Sequence, residues 1–292
     1  MIVGGGPAGL SAALVLARCR RRILVCDEGK PRNAASHGLH GYLTRDCIHP
    51  HEFLGIARNE LHGYGVEMKS GFVESARCHD GSFHLTLRGG DRLECRKLLL
   101  ATGVQDELPD IPGVHDFYGR SVHHCPYCDG WEWRDQPVAV YGAGTAGSGL
   151  AESMLTWTRH IVLLTGGKPL SSGVSERLQR AGIGFYTKRI AKLEGRGGML
   201  EHIIFRDGSS IDRSAIFFTT GQRQKSQLPE QLGCVFTRKG AVRTSRKEAA
   251  GAPGLYVAGD ASHDVQFVIV AAAEGAKAAV AINKEFEAEE RG

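Results

Sequence analysis

The chain has 292 residues, 42% of them apolar and 23% charged, with a formal net charge of +4. That is enough for one large or two ordinary domains with cores of their own, and it excludes a disordered chain. Acids and bases are interspersed, so no cationic face for nucleic acid is expected. No apolar stretch reaches the ~20 residues of a membrane-spanning helix, and no basic segment precedes the first apolar run as in a secretory signal.

In chain order, Ile2 and Val3 lead into Gly4-Gly5-Gly6-Pro7-Ala8-Gly9 and then a small-residue apolar run over 10–17, which reads as strand, glycine turn and helix. The basic run Arg18, Arg20, Arg21, Arg22 follows and reads as a cap that meets the helix carbonyls. Residues 22–26 supply a second strand, with Asp27 and Glu28 at its carboxyl end, completing a βαβ unit. Residues 97–101 form a further strand running into Thr102 and Gly103. The first pattern then recurs: a strand over 137–141, the loop Gly142-Ala143-Gly144-Thr145-Ala146-Gly147, a helical run to Thr158, and a strand over 161–164. Residues 215–219 run into Thr220-Gly221, and a short strand ends at Gly259-Asp260 ahead of a strongly helical stretch over 269–286. The expected fold is α/β, two Rossmann-like dinucleotide-binding domains with the second inserted into the first: residues 1–112 and 248–292 form one domain and 113–247 the other.

A Gly-x-Gly-x-x-Gly loop omits side chains so that the backbone can turn tightly, approach a pyrophosphate with its N–H groups, and seat the helix on the strand. Gly4, Gly6, Pro7, Ala8 and Gly9 are therefore candidate cofactor contacts, with Asp27 or Glu28 as acceptor for ribose hydroxyls. Gly142, Gly144 and Gly147 are the second set, and Ala101, Thr102 and Gly103 line a strand end. Asp260 after Gly259 could receive a polyol chain or be a plain helix N-cap. Gln266 and Phe267, just ahead of the last helix, complete the candidates.

Cys125 and Cys128 are two residues apart in Cys-Pro-Tyr-Cys, the spacing of an exchangeable disulfide. His123, His124 or a helix start could lower a thiol's pKa, and Asp129 could relay the proton. The competing reading is half of a zinc site, which lacks a second Cys-x-x-Cys and would need adjacent histidines on one tetrahedron, so no metal is expected. The other six cysteines, Cys19, Cys26, Cys47, Cys78, Cys95 and Cys234, stand apart. Most are expected to be buried reduced thiols, and the missing membrane-spanning stretch and secretory signal lead to the expectation of a cytoplasmic location.

The order Gly4-Gly5-Gly6-Pro7-Ala8-Gly9, Ala101-Thr102-Gly103, Cys125-Pro126-Tyr127-Cys128-Asp129-Gly130, Gly142-Ala143-Gly144 and Gly259-Asp260 resembles low-molecular-weight thioredoxin reductases along nearly the full chain. The resemblance implies FAD held by the first loop, Asp27 or Glu28, and Asp260. It also implies that Cys128 faces the flavin, that Cys125 exchanges with the substrate disulfide, and that Asp129 acts as acid and base. His124 is kept as a candidate catalytic neighbour. A homodimer, rotation of the inserted domain and a thioredoxin-like protein substrate are further implications. The stretches around His123 to Glu132 and Pro31-Arg32-Asn33-Ala34 look like a divergent branch, some of whose flavoproteins are oxidases of small dithiols, so electron flow is open in direction.

Two departures from the family pattern stand out. NADPH-using members carry an arginine-rich segment where this chain reads Leu164-Thr165-Gly166-Gly167-Lys168. Lys168 or Arg177 would have to compensate, and NADH or reduced ferredoxin become alternative donors. The first strand is also short for a central position in a parallel sheet, which points to a start upstream or to weak FAD retention. A redox-responsive binding protein, with flavin and thiols that sense state without turnover, is the reading from outside the enzymes.

Overall fold

The computed structural model describes residues 1–262 and 265–292 and divides into two compact units. One comprises residues 1–34, 41–105 and 222–292, and the other residues 35–40 and 106–221. Each is built on a five-stranded parallel sheet.

In the first unit the strand order is Leu255–Val257, Leu98–Leu100, Ile2–Val3, Leu24–Asp27, Glu67–Ser70. The two-residue strand Ile2–Val3 is central, with Ile2 registered on Val25 and on Leu99. Strand alternation sends Ile2, Val25, Leu99 and Tyr256 to one face, where helices Pro7–Arg18, Pro50–His62 and Val268–Glu289 cover them with Leu10, Leu16, Leu54 and Ile282. Val3, Cys26, Leu98, Leu100 and Val257 face the other way, onto Phe83 and Leu85 of an antiparallel sheet formed by Val73–His79, Ser82–Leu87 and Arg92–Cys95. Both faces are buried, which is why these strands read as unbroken apolar runs.

The second unit repeats the plan in the order Gly184–Tyr186, Ile161–Leu164, Val138–Tyr141, Ala215–Phe218, Val122–His123. Val138, Val140, Leu163 and Phe217 pack on Ala151, Met154 and Leu178. Ala139, Leu164, Ile216 and Phe218 pack on Leu200, Ile203 and Phe205 of an antiparallel layer. The shared plan agrees with the two loop-bearing patterns in the sequence.

Several details differ from the sequence expectation. Residues 222–247, which the motif spacing assigns to the inserted segment, pack with the first unit, because Leu228, Leu232, Cys234 and Val242 join the core around Val3 and Cys26. The arginine run does not simply cap its helix: Arg20 turns into the left-handed region (φ 61°), and Arg21 reaches across to pair with Glu290 and sit over the Phe286 ring at 5.2 Å. Of the isolated cysteines only Cys26 and Cys234 are buried, whereas Cys19, Cys47 and Cys78 are exposed. Cys19 ends a helix and Cys78 lies on the outward face of a strand, so neither position turns to a core. No helix among the described residues is long and apolar enough to cross a membrane.

Two outcomes follow. Gly275 in the last helix lies against the backbone of Ala8, and a Cβ there would stand 2.7 Å from the Ala8 carbonyl carbon. Gly275→Val is expected to cost about 1–3 kcal/mol by overpacking, read as a lower urea midpoint. Burial pushes the thiols of Cys26, Cys95 and Cys234 up. Iodoacetamide at pH 8 is therefore expected to label Cys19, Cys47 and Cys78 of the native protein and to spare Cys26 and Cys234.

Candidate functional site

The first glycine loop is shaped by close backbone approach. Gly4 adopts φ 109°, and a Cβ there would strike the Ala101 carbonyl oxygen. Gly9, in the first turn of the helix, lies directly on the Gly4 carbonyl. Pro7 starts the helix, where its missing N–H costs nothing, and Ala8 is buried behind it. Gly6 differs, because a Cβ there would meet nothing within 4 Å. The loop thus presents an open cradle over a helix N-terminus.

Asp27 ends its strand beside this loop, its carboxylate 2.6 Å from where a Gly5 Cβ would stand, and accepts from Arg58 at 3.1 Å. Glu28 turns instead to Lys225 at 3.0 Å. The next strand over brings Thr102, whose Oγ1 is buried without a partner among the described residues, and Gly103, whose carbonyl accepts from the Lys225 amide. Gly259 (φ 82°) approaches the same helix, its Cβ position 3.0 Å from the Ala8 Cβ, and its N–H donates to buried Glu274 at 2.8 Å.

The structure therefore brings Gly4, Gly6, Pro7, Ala8, Gly9, Asp27, Ala101, Thr102 and Gly259 to one place. Asp260 is not a helix cap, since the helix begins at Val268 with Phe267 in the N-cap position. Its Oδ2 accepts from Arg32 at 2.8 Å, and Arg32 also donates to Gln266 Oε1 at 2.6 Å. In the sequence Arg32 stood out only as part of the divergent Pro31-Arg32-Asn33-Ala34 stretch, with no role of its own, and Lys225 and Glu274 not at all, because their partners are set by the fold. An open glycine cradle, a carboxylate at the strand end, and Thr102 Oγ1 and Gln266 Nε2, buried without partners among the described residues, fit a dinucleotide such as FAD.

The second loop has the same backbone but other chemistry. Gly142 and Gly147 pack on each other, and Gly144 is open. Val3 pairs with Cys26 in one sheet and Tyr141 with Leu164 in the other, so Thr165 stands where Asp27 stands. The Thr165 hydroxyl is spent on the Lys168 carbonyl. Arg177 is engaged by Glu152 at 2.6 Å and Ser148 at 3.0 Å.

Cys125 and Cys128 are disulfide-bonded, with Cα atoms 5.3 Å apart, at the start of the short helix Pro126–Asp129. The Cys125 sulfur accepts from the Cys128 amide at 3.2 Å. Strand alternation decides the roles of the two preceding histidines. His123, registered on Phe217, turns to the side of Trp133; His124 turns to Phe218 and lies 3.7 Å from Asp106. Buried His123 Nε2 accepts the Trp133 indole N–H at 3.0 Å, and its Nδ1 lies 3.3 Å from Asp129 Oδ1. An indole nitrogen only donates, so Nε2 is unprotonated and the ring proton sits on Nδ1, facing Asp129. His123, one of three options in the sequence, is thus the histidine in line with Asp129. Trp133 was not anticipated.

Gly6→Val should change apoprotein stability by no more than about 0.5 kcal/mol, while FAD affinity in a fluorescence titration falls tenfold or more, about 1.4 kcal/mol. Trp133→Phe should leave the His123 Nε2 buried and unsatisfied, costing about 1–3 kcal/mol of unfolding free energy in denaturant titration.

Residues 1–275 match the family model of pyridine nucleotide-disulphide oxidoreductases. Thioredoxin reductase tcpT of Claviceps purpurea is 30% identical, the match spanning 89% of this chain and 85% of that protein. The crystal structure of HlmI superposes with a TM-score of 0.92 at 33% identity, covering 99% of this chain and 92% of the other. An oxidoreductase from Agrobacterium tumefaciens gives 0.90 at 31% identity, over 98% and 97%. The chain belongs to the pyridine nucleotide-disulphide oxidoreductases of thioredoxin reductase type, FAD-dependent enzymes for which NADPH is the usual second cofactor.

Proposed function

We propose that this enzyme is a thiol–disulfide oxidoreductase that passes electrons between FAD and a thioredoxin-like protein disulfide through Cys125 and Cys128. The observation that carries the reading is the disulfide at a helix start with Asp129, His123 and Trp133 aligned behind it. Relatives named thioredoxin reductase support a protein disulfide as substrate.

In this reading the first loop, Asp27, Thr102 and the Gly259–Asp260 turn hold the cofactor. When bound and reduced by the electron donor, the flavin would supply the two electrons that open the disulfide and would return to FAD. Asp129 gives the Cys128 sulfur its proton, and His123, fixed by Trp133, keeps that carboxyl aimed. The Cys125 thiolate, which accepts the Cys128 amide, attacks the substrate disulfide and forms a mixed disulfide, releasing one substrate thiol. Cys128 then returns its proton to Asp129, attacks the Cys125 sulfur as a thiolate and restores the pair, and the second substrate sulfur leaves as a thiolate that takes up the proton. The same reading takes the working form to be a cytoplasmic homodimer.

A second reading is favoured by the second loop, where Thr165 replaces an acid and Arg177 is already neutralised. There the donor is not NADPH: either ferredoxin drives the reduction, or a small dithiol reduces the cysteine pair and electrons leave to oxygen.

Anaerobic titration of the oxidised protein with NADPH, NADH, reduced ferredoxin and simple dithiols separates these readings by which of them bleaches the flavin. Bleaching by NADPH, followed by thioredoxin reduction, is expected on the first, whereas bleaching by ferredoxin and not by NADPH would replace it with the ferredoxin-driven form of the second. Dithiol-driven oxygen uptake without nicotinamide would replace it with the oxidase. Cys125→Ser should abolish exchange, and Asp129→Asn should slow it about a hundredfold or more; unchanged rates in either variant would remove that residue from the reaction.

A further inference from the structure

Arg32 is a largely buried cation that the proposed reaction does not use. Its side chain is 15% exposed, and its guanidinium donates to Asp260 Oδ2 at 2.8 Å, to Gln266 Oε1 at 2.6 Å and to Gln222 Oε1 at 3.2 Å. These partners come from three separate stretches of the first unit: the turn after Leu255–Val257, the approach to the last helix, and the strand Gln222–Gln224. The segment carrying Arg32 is itself fastened. Lys225 pairs with Glu28 at 3.0 Å and donates to the Lys30 carbonyl, while its own amide donates to Gly103. The chain just before Arg32 is therefore tied down at Glu28 and Lys30.

A buried charge is tolerated when paired and hydrogen-bonded, and a planar five-donor fork suits three acceptors in fixed positions. Two consequences arise for the group that the Gly259–Asp260 turn would hold. Arg32 occupies one carboxylate oxygen of Asp260, so that the carboxylate has one orientation and its other oxygen is presented. It also takes Gln266 by its carbonyl oxygen, which leaves Gln266 Nε2, buried and partnerless among the described residues, as the donor on offer. Electrostatically, an uncompensated Asp260 would oppose any neighbour that gains negative charge, and the guanidinium cancels that opposition.

We propose that Arg32 is the positioning residue of the cofactor site: it orients Asp260 and Gln266 to receive FAD and supplies the positive charge that favours the reduced, anionic flavin. The proposal rests on placing the cofactor at the Gly259–Asp260 turn. Its chemistry is that of a fixed cation beside a group whose charge becomes more negative on two-electron reduction.

The test measures FAD dissociation constant and flavin midpoint potential in Arg32→Gln, Arg32→Lys, Asp260→Asn and the double variant Arg32→Gln/Asp260→Asn, with the circular dichroism of each apoprotein as control. Arg32→Gln should weaken FAD binding at least tenfold. It should also shift the oxidised-to-reduced ratio about tenfold towards oxidised, about 30 mV more negative for a two-electron couple. Asp260→Asn should move the potential the other way, and the double variant should lie between the singles. Arg32→Lys should keep the potential and lose part of the affinity, because the charge returns without the fork. An Arg32→Gln protein with unchanged affinity and potential overturns the proposal while leaving the cofactor placement intact if Asp260→Asn still shifts them. If Asp260→Asn shifts neither, the cofactor placement falls as well. Should Arg32→Gln fail to fold, Arg32→Lys decides: unchanged FAD affinity there refutes the positioning role, and reduced affinity at constant potential supports it.

Discussion

The close backbone contact between Gly4, Gly9 and Ala101 is the constraint on which the first unit depends. A two-residue strand contributes few hydrogen bonds, so Ile2–Val3 holds its central place through neighbours on both edges and both faces. The turn after it must reverse within a few residues and still let a helix lie on the sheet. Side chains at Gly4 or Gly9 would push the strand from Ala101 or the helix from the loop. The same closeness recurs where Gly259 and Gly275 meet Ala8, so that the last helix, far away in sequence, packs on the first. What the backbone achieves by omission is a concave surface of amides with Gly6 left open above it.

Around that surface the polar groups are organised by pairing at long range. Asp27 is steadied by Arg58, Asp260 by Arg32, Gly259 by Glu274, and the segment after the second strand by Lys225. Each pair satisfies a charge that burial would otherwise penalise and at the same time fixes an acceptor or donor in one direction. The second unit keeps the backbone and drops this polar set: Thr165 closes on its own loop and Arg177 on Glu152. Duplicated architecture thus carries two loops of different binding chemistry.

The redox turn draws its geometry from an edge strand. Val122–His123 pairs with Ala215–Phe218, and the two-residue period of that strand sends His123 inward to Trp133 and His124 to the opposite side. Because the indole can only donate, the tautomer of His123 is fixed by packing, and its remaining N–H faces Asp129. The Asp129 carboxyl is in this way faced by a histidine whose ring is held by Trp133.

The sequence by itself determined the repeated strand–glycine–helix pattern, the Cys-Pro-Tyr-Cys pair with Asp129, and the Gly-Asp turn, since each is a local signal: glycines where side chains cannot fit, and two thiols within one turn of chain. It left Asp27 and Glu28 undivided and kept His124 as the candidate catalytic neighbour, whereas His123 is the histidine beside Asp129. The tertiary structure shows Asp27, the last residue of its strand, beside the glycine loop and Arg58, and Glu28, one residue beyond, on Lys225; it likewise shows His123 on Trp133 and His124, one residue beyond its strand, near Asp106. The partners of Arg32 and the packing of residues 222–247 with the first unit were decided by contacts between residues distant in sequence, and those of Trp133 and Glu274 by contacts ten and fifteen residues apart that no motif spacing marks. Periodicity and spacing record what a residue's chain neighbours require, and carry no record of which distant group will meet it when the sheets close.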